Sequence, residues 1–122
     1  MKLCSVINET RGSRVAERVG LATSFGARLK GLLGRQRLDD DEGLYLSPCS
    51  AIHTLFMRFP IDCAFLDEQG TVLRIAARIR PWRLAQGVPG ASGVLELAAG
   101  RLAASGTVEG DRLLFEDTTR RV

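Results

Sequence analysis

Apolar and polar residues alternate with a period of two through the middle of this chain, the pattern of half-buried strands rather than helices. The cleanest stretch is 71–80. There Leu73, Ile75, Ala77 and Ile79 point one way and Val72, Arg74, Ala76, Arg78 and Arg80 the other. In 61–66, Ile61, Cys63 and Phe65 alternate with Asp62, Ala64 and Leu66. Asp67-Glu68-Gln69-Gly70 between them is a hairpin turn, with Asp first and Gly last. The same period predicts a strand over 53–59, with His53, Leu55, Met57 and Phe59 sharing a face. Shorter strands are predicted at 3–7, 14–22, 43–46, 94–97 and 112–116.

A helical period is clear only over 23–35. Thr23 or Ser24 can cap its start. Phe25, Leu29, Leu32 and Leu33 have the spacing of one buried helix face, and Gly34 suits the end. Residues 98–105 predict a helical turn or two, and 81–93, rich in Pro and Gly, a long loop. Strands without long helices between them predict a mainly β fold. The expected architecture is an antiparallel β-sandwich or small barrel of about seven short strands with one or two short helices. A length of 122 residues fits one domain, 1–122.

Composition narrows the class. The chain is 45% hydrophobic and 25% charged, ordinary for a globular domain. No apolar run reaches the ~20 residues of a membrane helix. The first apolar patch ends at Asn8, short of a signal-peptide core. A cytoplasmic protein without membrane insertion is expected. Cys4, Cys49 and Cys63 are odd in number and lack C-x-x-C spacing, so reduced thiols are expected. The net charge of +3 is too small to imply nucleic acid by itself.

The candidate chemistry centres on His53, the only histidine, four residues after Cys49 and nine before Asp62. His53, Asp62 and Glu96 each interrupt apolar strands. Should they converge, with Arg58 as a bidentate partner for a carboxylate, they form a ligand-contact region, with the loop at 81–93 as its cover. The plainer reading is an internal ion pair of Arg58 with Asp62 or Glu96 that fixes strand register. A second reading makes Cys49, His53 and Asp62 a metal set, or Cys49 or Cys63 with His53 and Asp62 a nucleophilic Cys-His-Asp group. Against it, Cys-x-x-x-His suits a helix turn and lies about 13 Å apart in a strand. Arg74, Arg78 and Arg80 form a stripe for an anionic partner, or simply a solvated face. Only Trp82 offers a stacking group nearby, which disfavours nucleic acid. Gly87-x-x-Gly90-x-x-Gly93 precedes a strand, not a helix, and no cofactor is expected.

From about 25 to 115 the sequence resembles the DUF192 family. The resemblance rests on Arg28-Leu29-Lys30-Gly31-Leu32-Leu33-Gly34-Arg35, Gly43-Leu44-Tyr45-Leu46 and His53-Thr54-Leu55-Phe56-Met57-Arg58-Phe59-Pro60-Ile61-Asp62. It continues in Phe65-Leu66-Asp67, Val94-Leu95-Glu96-Leu97-Ala98-Ala99-Gly100 and Gly110-Asp111. Many members have Trp-Met-Lys-Asn where this chain has Phe56-Met57-Arg58-Phe59. The Cys-x-x-x-His-Thr start resembles a short, cytoplasmic-type branch. The resemblance implies a compact, mostly antiparallel β-sandwich-like domain and no particular reaction. The expected role is a small accessory module for an unidentified ligand or protein partner. The alternative is a small enzyme or metal-binding protein using Cys49, His53 and Asp62.

Overall fold

The computed structural model describes residues 1–84 and 86–118. They form a mainly β domain built on one sheet. In chain order the elements are β1 (Leu3–Asn8), β2 (Ser13–Ala22), α1 (Phe25–Lys30), β3 (Glu42–Leu46), β4 (Ala51–Ile52), β5 (Ile61–Leu66), β6 (Val72–Ile79), β7 (Gln86–Gly87), β8 (Gly93–Ala98), α2 (Arg101–Ala104) and β9 (Leu113–Asp117). Seven of the strands make the sheet, in the order β6-β5-β8-β3-β2-β1-β9, and β4 and β7 form a separate two-stranded ribbon. All pairs are antiparallel except β2 with β3. The sheet curls until its edge strands meet at one end. Thr71 bridges Arg112 there, and the N–H of Val72 donates to the Asp111 carbonyl at 2.8 Å.

The curl gives the sheet two apolar faces. Val6, Val15, Val19, Ala64, Leu66, Val72, Leu95, Leu97 and Leu113 fill the inner face, and Leu102 of α2 joins them. Leu44, Leu46, Ile61, Cys63, Phe65, Ile79 and Val94 lie on the outer face. Leu32, Ile52 and Met57 from the segments around α1 and β4 cover it. Strands β5 and β8 are interior strands, paired on both sides, and every residue of both is buried. This explains why their sequences read as nearly continuous apolar runs: neither face meets bulk water.

Three local expectations fail for identifiable reasons. First, α1 stops at Lys30, with Gly31 (φ +49°) as its C-cap. Ser24 caps the start by accepting from the Ala27 N–H at 3.1 Å. Leu32 and Leu33 therefore never extend a helix face, and Phe25 and Leu29 are left 75% and 70% exposed. Second, 53–59 is not a strand. After β4 the chain leaves extended geometry, held by Thr54, whose bonds are described below. Third, β6 does not alternate cleanly. Ile61 faces Ile79 but Cys63 faces Ala76, so three residues of β6 span two of β5. Such a bulge bends an edge strand and interrupts its pairing. Arg78 sits in it with φ +51°, a left-handed conformation uncommon outside glycine.

Asp62 fixes this bulge. Its Oδ1 accepts from the Arg78 N–H at 2.8 Å and its Oδ2 from the Leu102 N–H at 3.0 Å. One buried carboxylate thus ties β5 to β6 and to the start of α2. A second network closes the opposite end. Buried Asn8 donates to Thr107 at 3.1 Å and to Asp111 at 2.9 Å. The Arg11 guanidinium also binds Asp111 and, with Asn8 and the Val108 N–H, holds that carboxyl down at about 2. On the surface, Arg18 grips Asp41 with two bonds of 3.1 Å and Arg35 pairs with Glu42, so the acidic run at 39–42 is partly neutralised.

Removing the Asp62 carboxyl leaves two N–H groups without acceptors, one of them buried. Asp62→Ala is expected to lose about 2–4 kcal/mol of stability in urea denaturation. A loss below about 0.5 kcal/mol, the range of an ordinary surface change, would contradict this role.

Candidate functional site

The outer face of the sheet is not fully covered. On one side stand α1 and the turn 31–33. On the other, the chain leaves β3 through Pro48 and Cys49 into β4, which is held by β7: Ala51 pairs with Gly87 and Ile52 with Gln86. Part of the long loop at 81–93 thus supports this wall. Between the two walls lies a pocket of about 200 Å³ over strands β3 and β8. Leu32, Leu46, Ile52 and Met57 form its buried apolar lining. His53, Leu29 and Lys30 are exposed at the rim, with Arg28 and Cys49 half-buried.

Glu96 is the one acidic residue in that lining. Strand register places it between Leu44 of β3 and Cys63 of β5, in the middle of the sheet. It is 5% exposed. Among the described residues no hydrogen bond or ion pair engages its carboxyl, whose oxygens are not sealed off and keep a small contact with solvent at the pocket. Burial pushes its pKa up to about 7, because the charged form loses hydration that nothing in the protein replaces. Burial also raises the neighbouring Cys63 thiol well above its usual value, with Glu96 adding to the effect. Cys63 therefore stays a neutral thiol and cannot act as a counter-ion.

The loop beyond the pocket is organised by Thr54, which is fully buried. Its hydroxyl donates to the Arg80 carbonyl at 2.6 Å and accepts from the Arg83 N–H at 2.9 Å. Its own N–H donates to the Arg83 carbonyl, and its carbonyl accepts from the Trp82 and Met57 N–H groups. This clasp positions Met57 as a pocket wall. It also holds two aromatic residues in left-handed conformations, Phe56 (φ +65°) and Trp82 (φ +66°). Their rings lie 4.7 Å apart and are largely exposed. Strained, exposed aromatics of this kind cluster at functional sites.

The structure brings His53, Glu96 and Cys49 to one pocket. It places Asp62 elsewhere. Asp62 lies opposite Leu97 and shares the inner face, whereas Glu96 lies opposite Cys63 on the outer one. Arg58 is exposed and makes no ion pair among the described residues. Cys49 and His53 do not bond each other. The Cys49 thiol donates to the Ala51 carbonyl at 3.1 Å, and His53 Nδ1 accepts from the Leu55 N–H at 3.2 Å. No three His, Cys, Asp or Glu side chains among the described residues are placed to share a metal ion. Arg74, Arg78, Arg80 and Arg83 line a shallow groove along edge strand β6. Charge and bulges on an edge discourage pairing with another sheet. Thr54 and the α1 wall are the parts of the site that alternation does not reveal. The signal for Thr54 is its polarity inside an apolar run.

The fold and site define a small curled-sheet domain with a buried acid at the floor of one pocket. The chain belongs to the DUF192 family, described as an uncharacterized ACR, whose sequence model matches residues 6–115. A UPF0127 protein from Thermococcus sibiricus is 29% identical over 116 residues, covering 91% of this chain and 74% of that protein. Two crystal structures share the fold at 24% identity. One is a "putative transcription regulator" from Sinorhizobium meliloti, with a TM-score of 0.82 over 93% of this chain and 92% of the other. The second is a protein of unknown function from Novosphingobium aromaticivorans, with a TM-score of 0.75 over 92% and 83%.

The Glu96 environment has a stability signature with a definite sign. The folded chain keeps the proton to about pH 7, whereas an unfolded glutamate releases it near about 4.3. In that window the folded state binds more protons, so stability is full below it, falls as pH rises and levels off above about 7. Glu96→Gln removes this slope. Urea denaturation is expected to show the variant matching the parent near pH 4 and exceeding it near pH 8, by up to about 3 kcal/mol. Equal stabilities at both pH values would contradict the assignment.

Proposed function

We propose that this DUF192 chain is a small binding module whose site is the Glu96 pocket. The observation that carries this reading is the unpartnered carboxyl itself. A buried carboxyl without a donor is costly, and an apolar residue of similar size would be more stable at that position. Glu96 opens into a pocket with a polar rim, the common layout of a ligand site. At about 200 Å³ the space lies below the usual range for drug-sized ligands. It suits a small metabolite or a single side chain of a partner. The exposed Phe56–Trp82 pair beside it can extend a partner contact, since aromatic anchors dominate many interfaces. A sandwich description of the curled sheet is compatible with this reading. The regulator label of the Sinorhizobium meliloti protein stays with that protein, because likeness at 24% identity carries the fold alone.

Small fragments of differing charge, screened by amide NMR, test the site without presuming its ligand. At least one fragment is expected to move the signals of Leu32, Ile52, His53 and Met57 together. If every fragment that binds moves signals elsewhere and leaves these four unchanged, the reading is wrong.

A further inference from the structure

We propose that the pocket receives a short alkyl chain ending in a primary ammonium, with the ammonium against the Glu96 carboxylate and the methylenes against Leu32, Ile52 and Met57. This rests on the pocket being a binding site and names the chemistry of what it holds.

Charge decides the head group. The titratable groups facing Glu96 come from four places. Cys63 on β5 is a neutral thiol for the reason given above. Cys49, after β3, spends its S–H on the Ala51 carbonyl. His53, after β4, has Nδ1 occupied by the Leu55 N–H. On α1, Arg28 Nη1 is held by the Pro48 carbonyl at 2.8 Å, and Lys30 is exposed at the rim. None of these reaches the Glu96 carboxyl. A carboxylate there has no counter-charge inside the protein, so a ligand that brings one removes a penalty the fold leaves standing. An anionic head would add to that penalty. A neutral hydroxyl would hydrogen-bond without cancelling the charge. The rim cations Arg28 and Lys30 oppose a positive ligand only weakly, because their heads are solvated and screened.

Size and lining decide the body. About 200 Å³ holds a chain of a few methylenes, not a ring system with substituents. Leu32, Ile52 and Met57 present apolar surface to the body of a ligand, while Arg28, Lys30, His53 and Glu96 supply the charged and polar part of the lining. Each methylene that becomes buried should tighten binding about fourfold. Two sources share this chemistry: a free alkylamine and a lysine side chain of another protein.

Three four-carbon probes separate the possibilities: n-butylamine, n-butanol and butyrate, titrated by amide NMR into the parent and into Glu96→Gln. Butylamine is expected to bind at least about tenfold more tightly than the other two. Because its ammonium stays charged while Glu96 ionises, its affinity should rise about tenfold from pH 6 to pH 8. Glu96→Gln should abolish both the preference and the pH dependence. A preference for butanol or butyrate, or a butylamine preference that survives Glu96→Gln, overturns the proposal. If butanol binds at the pocket and butylamine does not, the binding-site reading stands and only the head group is wrong. If neither these probes nor any wider fragment moves the pocket signals, both fall. Nα-acetyl-lysine methylamide binding at least as tightly as butylamine assigns the ammonium to a protein lysine. Butylamine alone assigns it to a free amine, and either result supports the proposal.

Discussion

Burial of β8 on both faces is the constraint from which the rest follows. The strand lies between β5 and β3, and none of its residues reaches bulk solvent directly. Leu95 and Leu97 pack into the curl, and Val94 packs beneath the outer cover. Glu96 is the exception in this run. Its side chain lines the pocket, which exists because α1 ends at Lys30 and β4 begins beyond Cys49, leaving β3 and β8 uncovered between them. A cover one turn longer would seal the acid into a closed core, at a far higher cost.

Two central carboxyls make the contrast plain. Asp62 and Glu96 come from neighbouring strands and are both almost inaccessible. Asp62 accepts two backbone N–H bonds and uses its charge to hold a bulge and a helix start. Glu96 accepts none, and its proton is retained to about neutrality. The first arrangement stabilises the fold. The second costs stability and keeps an unsatisfied acid facing an opening, the pairing of burial and cavity that marks functional groups.

Much of the fold was legible because alternating or continuous apolar runs bounded by turn residues mark the strands. The strands at 3–8, 13–22, 42–46, 61–66, 93–98 and 113–117 lie close to their predicted positions. What failed did so where backbone hydrogen bonding outranked side-chain pattern. Thr54 gathers four carbonyl and amide groups of 80–83 and pulls His53 to Phe59 out of extended geometry. The bulge at Arg78 shifts the parity of β6, and Arg74, Arg78 and Arg80 line one groove together with Arg83 rather than following strict alternation. Phe25 and Leu29 carry a helical period, but the chain supplies only six helical residues and nothing to cover them. The site was half legible. His53 and Glu96 stood out as titratable residues in apolar surroundings, and they do share a pocket. Asp62 looked equivalent to them. Which face it takes depends on the β5–β8 register, pairing it with Leu97 rather than with Glu96. No local pattern contains that register.

The state of the Glu96 carboxyl is open to direct observation. A carbon-13 NMR titration of the side-chain carboxyl in the folded protein should give a midpoint near 7. A midpoint near about 4.3, the value of a solvated glutamate, would show that this acid is neither dry nor unpartnered and would contradict the assignment of the site.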